Sequence, residues 1–121
     1  MYKLGVIEES LKSKNLLETL KPYLHSQKIE NVPTDPAPVW HTNEYHLEED
    51  ELLSLIDTLK DNIKETWYIH AFDDEKMYVI LPGKYFCISP KRDKTWKDMI
   101  KYGVKVGKVD KKFLKNIPLH I

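Results

Sequence analysis

Two short runs of this chain gather the residue types that do chemistry. The run from Val39 to Leu47 contains His41, Asn43, Glu44, Tyr45 and His46, and the run from Thr66 to Phe72 contains Tyr68 and His70, with Asp73 just after it. Histidine and carboxylate side chains are metal-ligand types, so His41, Glu44, His46, His70 and Asp73 are the first set to weigh. Both runs read as strands, and side chains on a strand alternate between its faces. His41 therefore falls on one face and Glu44 and His46 on the other. Two ligands do not make a site, the chain has no H-x-H pair, and no metal is expected.

The same alternation supports a second chemistry. In the later run, Trp67, Ile69 and Ala71 form an apolar set that should face a layer of helices, leaving Tyr68, His70 and Phe72 on the opposite face. In the earlier run, Val39, His41, Asn43 and Tyr45 alternate with Trp40, Thr42, Glu44 and His46, and neither set is clearly the inner one. With His41, Asn43 and Tyr45 on the open face beside Tyr68 and His70, the five would form an aromatic, hydrogen-bonding surface suited to a planar small ligand. Histidine and tyrosine there could also exchange protons. The competing expectation is that this face is covered by C-terminal helices or a second subunit.

Nucleophilic catalysis has little support. Ser10, Ser13, Ser26, Ser54 and Ser89 lie outside any G-x-S-x-G context, and Leu81-Pro82-Gly83-Lys84 is a hairpin turn without the rest of a phosphate loop. Asp73-Asp74 reads as a turn former. Cys87 is the only cysteine, which excludes an intrachain disulfide and a thiolate zinc site and makes it a small buried hydrophobe by expectation. No cofactor is expected.

The elements that must hold these residues follow from periodicity. Tyr2 to Ile7 alternates as a strand, and Leu11, Leu16, Leu17 and Leu20 mark a helix capped by Ser13 and stopped at Pro22. A strand over about Leu24 to Val32 ends in Pro33-Thr34-Asp35-Pro36-Ala37-Pro38, too rich in proline for helix or central sheet. After the strand from Val39 to Leu47, Glu48 to Glu51 place negative charge at a helix start, and Leu52, Ile56, Leu59 and Ile63 repeat at helical spacing. Thr66–Phe72, Met77–Leu81 and Lys84–Ser89 then form a meander. Asp93 opens a helix with Trp96, Met99 and Ile100 inward, ending at Gly103, and a short turn of helix follows between Asp110 and Ile117. This order predicts a single α+β domain over residues 1–121. Its expected form is a ferredoxin-like two-layer sandwich, with helices on one face of an antiparallel sheet, extended by a β-hairpin and C-terminal helices.

At 121 residues, with 41% hydrophobic and 31% charged residues, the composition is that of one globular domain, not of a disordered chain. No apolar stretch approaches the roughly 20 residues of a membrane span, and the N-terminus turns acidic too early for a signal peptide, so no membrane and a cytoplasmic location are expected. The neutral total conceals a split. Residues 1–83 carry 8 Lys/Arg against 16 Asp/Glu, and residues 84–121 carry 11 against 3. Ten of those eleven are lysine, and the pI is near 7.0. That argues against nucleic acid and for solvated helix exteriors, or for pairing with the acidic part of a second copy. The expected function is a small binding or protein-interaction module that forms a homodimer. The alternative is a small enzyme or small-molecule sensor using the His/Tyr face.

Overall fold

The computed structural model describes all 121 residues. Six strands, β1 (Tyr2–Ile7), β2 (Leu24–Asn31), β3 (Val39–Leu47), β4 (Ile69–Phe72), β5 (Met77–Leu81) and β6 (Lys84–Ile88), form one antiparallel sheet in the order β2-β3-β1-β4-β5-β6. Four helices accompany it: α1 (Leu16–Leu20), α2 (Glu49–Asn62), α3 (Trp96–Lys105) and α4 (Lys111–Lys115). The chain is thus α+β, and none of its helices is long and apolar enough to cross a membrane.

Alternation on β1 sets the two faces. Leu4 and Val6 are fully buried and stand opposite Tyr45 and Asn43 of β3, while Leu4 also stands opposite Ala71 of β4. Together with Ile69, Tyr78 and Ile80, this face packs on Leu16 and Leu20 of α1 and on Leu52, Ile56 and Leu59 of α2. Glu49 fastens α2 to the sheet by accepting from the hydroxyls of Tyr2 at 3.1 Å and Tyr78 at 2.8 Å.

The other face is covered at one end only. Phe72, Met77, Val79, Leu81 and Ile88 pack on Trp96 and Met99 of α3 and Leu114 of α4. Helices therefore lie on both faces, where one face was expected, because α3 and α4 bury the apolar second face of β4 to β6. The remainder of that face, on β1, β3 and β2, has no helix over it. The chain end crosses its border, and Gly5 makes room for it: a Cβ there would lie 3.0 Å from Cγ1 of Ile121.

Three local expectations shift. The first helix is a single turn, since Pro22 follows at once in a 3-10 turn over Lys21–Tyr23. β4 begins at Ile69 and not at Thr66, because Thr66 has a φ of 75° and its amide donates to the Gly107 carbonyl at 2.8 Å. Cys87 is exposed, since β6 is an edge strand.

Candidate functional site

The uncovered part of the second face forms the floor of a groove of about 750 Å³. Gly5 and Ile7 of β1, Trp40 and Thr42 of β3, and His70 of β4 line it, with Trp67 and Tyr68 at the entrance to β4. One wall is Asp35, Pro36 and Ala37, from the proline-rich loop between β2 and β3. The other is built from Lys108, Val109 and Asp110 between α3 and α4, Phe113 of α4, and the chain end from Pro118.

Aromatic rings dominate the interior. Trp40 and Trp67 meet edge to face, with centroids 5.2 Å apart and an interplanar angle of 61°. The Trp40 indole Nε1 is buried without a hydrogen-bond partner. An unpaired buried donor costs about 1–3 kcal/mol. Tyr68 is half-buried, and burial pushes its phenol up to about 12, so it is a donor at neutral pH. His70 stacks on Phe72 at 5.5 Å, and its Nε2 donates to the His120 carbonyl at 3.3 Å. Burial, the larger influence, holds His70 down to about 4 and outweighs the carbonyls of His120 and Pro118, which favour the charged ring. At neutral pH the imidazole is uncharged and secures the chain end.

The charges around the groove are already engaged. Lys28 pairs with Glu30 at 3.8 Å, Lys108 with Glu65 at 3.1 Å, and Lys64 donates to the Glu9 carbonyl at 3.1 Å. Glu9 accepts from the backbone N–H and the Nδ1 of His41, each at 2.7 Å. Partial burial pushes the Glu9 carboxyl up, but these bonds prevail and hold it below its ordinary value. Asp35 and Asp110 accept from the amides of Ala37 and Lys112. The groove is thus polar at the rim, and each of these charged groups has a partner within the protein, an ion-pair partner for Lys28 and Lys108 and a neutral backbone group for Lys64, Asp35 and Asp110.

Of the five residues expected on one open face, only Tyr68 and His70 line this groove. His41, Asn43 and Tyr45 belong to the opposite face, because β3 pairs with β1 so that Tyr45 stands beside Leu4 and Asn43 beside Val6. Tyr45 and Asn43 are 2% exposed. Asn43 Nδ2 donates to the Tyr45 hydroxyl at 3.0 Å and to Glu8 at 2.9 Å. His41 is exposed and reaches the groove only through Glu9. Alternation on β3 puts Glu44 and His46 on one face and His41 on the other; His70 shares the face of Glu44 and His46 but stands across β1 from them, since Glu44 and His70 both pair with Gly5. Asp73 is a turn former, accepting from the amides of Glu75 and Lys76, each at 2.8 Å.

Several lining residues carried no clear signal. Trp67 packs against the helix-side core as its alternation predicts, and beside the turn at Thr66 its ring also reaches Trp40 and the groove. Thr66 and Lys108, the two non-glycine residues with positive φ, both line the groove. Such backbone costs on the order of 1–3 kcal/mol per residue and persists where surrounding structure enforces it. Phe113 and the chain end come from beyond residue 110 and are adjacent to β1 only in space. Comparison of the chain with protein-family models, with curated proteins and with solved structures finds no match.

Proposed function

We propose that this protein is a small binding module that takes an uncharged, planar small molecule in the groove on its second sheet face. The observation that carries the reading is the 750 Å³ groove in which Trp40, Trp67 and Tyr68 converge while its rim charges are satisfied from within. A planar ring stacked by the indoles gains by burial and stacking, and an acceptor on it would relieve the Trp40 N–H once the two rings part. His70 serves in this reading as a neutral wall residue, not an acid or base, which favours binding over catalysis. The test is a fragment series of neutral bicyclic heteroaromatics followed by tryptophan fluorescence and ligand-observed NMR. Saturable binding is expected, weakened roughly fivefold to a hundredfold in Trp67→Ala, since stacking on one aromatic side chain is worth about 1–3 kcal/mol. Fragments that bind Trp67→Ala as well as the parent protein would sink the proposal.

Self-association is a second part of the reading, and one observation favours it. β2 is an edge strand of eight residues, nearly all exposed, and Ile29 at 67% and Val39 at 41% put apolar surface beside unpaired backbone. Such an edge can extend its sheet with a second copy. The order β2-β3-β1-β4, with α1 and α2 on one face, supports reading the first four strands as a ferredoxin-like unit carrying the β5–β6 hairpin and α3–α4 as an extension. An exposed thiol at Cys87 accords with a reducing, cytoplasmic setting.

A further inference from the structure

A third metal-ligand side chain joins Glu44 and His46 on the second sheet face. It is His25, and a β-bulge brings it there. In the β2–β3 register Leu24 stands opposite Tyr45 and Ser26 opposite Glu44, so His25 is the additional residue between them. In an unbroken strand His25 would take the face opposite to Ser26, away from His46. The bulge turns it back, and its ring lies over that of His46 with centroids 3.9 Å apart and planes within 15°. Re-aiming a side chain in this way is a known consequence of bulges.

We propose that His25, Glu44 and His46 form a three-ligand site for a divalent transition-metal ion, of which zinc suits the donors best. Each residue presents one donor atom, and all three atoms lie within 4.8 Å of one another. Oε2 of Glu44 and Nε2 of His46 share a hydrogen bond of 2.5 Å, so an ion must displace the shared proton and these two atoms must open by about 1 Å to bind it. Zinc bonds of about 2.0–2.2 Å to nitrogen and oxygen place tetrahedral donors roughly 3.3–3.6 Å apart, so the wider separations need close by little more than 1 Å. His25 is exposed and the other two are half-exposed, so side-chain rotation can supply that movement. Two imidazoles and one carboxylate are a recurrent set for metal sites that leave a position to water or substrate, and the face above them carries no helix. The nearest competing cation in the register is Lys3, opposite His46 on β1, and its exposed side chain can turn to solvent.

The test is a zinc titration of the full chain at neutral pH, read by isothermal calorimetry and by competition with a chromophoric chelator. One ion per chain is expected. His25→Ala and His46→Ala should each weaken binding at least tenfold, and His41→Gln should leave it unchanged. Because His25 is exposed, its alanine variant should melt as the parent does without zinc; added zinc should raise the parent's melting temperature and not the variant's. Absence of saturable one-to-one binding would overturn the site. So would affinity in His25→Ala equal to the parent's, or an equal loss in His41→Gln, which would indicate diffuse binding by surface histidines.

Discussion

His70 is a titratable ring held where its charged form is disfavoured. The unfolded chain takes up its proton near the ordinary 6.5, whereas burial lowers the folded value to about 4. Between those values the unfolded state binds more protons, so stability is full above pH 6.5 and declines as pH falls toward 4. A shift of that size implies a loss of about 2 kcal/mol by pH 5. Glu9, Glu49, Asp73 and Asp93 have carboxyls held below their ordinary values, so their contributions are lost only at lower pH. Melting temperatures of the parent protein should fall between pH 6.5 and 5, and those of His70→Phe should change much less. Equal slopes would remove His70 as the cause. The position of His70 on its strand was legible from the alternation of Ile69 and Ala71, but its uncharged state was not. That follows from burial, which is decided by where the ring sits in the folded sheet and not by its neighbours along the strand.

Among the elements, the β5–β6 hairpin shows local and long-range demands meeting at one residue. Gly83 has a φ of 84°, which an L side chain adopts only under strain, and its N–H donates to the Lys60 carbonyl at the end of α2. A Cβ at this position would lie 3.1 Å from the Tyr102 hydroxyl, which donates to the Pro82 carbonyl at 2.7 Å. Gly83→Ala should therefore destabilise the fold by about 1–2 kcal/mol and loosen the seat of α3 on the hairpin. Denaturant unfolding would measure the first effect and hydrogen exchange at α3 the second; an unchanged midpoint would show that the turn relaxes at no cost. The turn itself was readable from Pro82-Gly83. That it also anchors α2 and α3 was not, since neither partner is its neighbour along the chain.

Across the whole molecule, the basic segment folds as β6, α3 and α4, at the end of the sheet opposite β2. If copies join through the β2 edge, the lysine-rich end takes no part, and the contact rests on backbone pairing and on Ile29. Light scattering after size-exclusion chromatography should then give a dimer at both low and high salt, and Ile29→Lys should give a monomer. A dimer that dissociates with salt would instead assign the association to the acidic and basic regions, and a monomer under all conditions would remove self-association from the proposed function.

Most of the elements are legible along the chain, the first helix and the start of β4 excepted. Val39–Leu47 and Met77–Leu81 are strands from end to end as periodicity requires, and the acidic start and apolar repeat of α2 mark its course, because these signals depend on residues within a turn or two of one another. Tertiary structure alone decided which side of β3 faces inward. Both sides of that strand are mixed, and the choice was made by Leu4 and Val6, which must be buried and which carry Asn43 and Tyr45 in with them. The same holds for the bulge that turns His25 toward His46 and for the chain end that closes one side of the groove. Each depends on a partner distant in sequence, and alternation along a single strand specifies two faces without specifying which one meets the core.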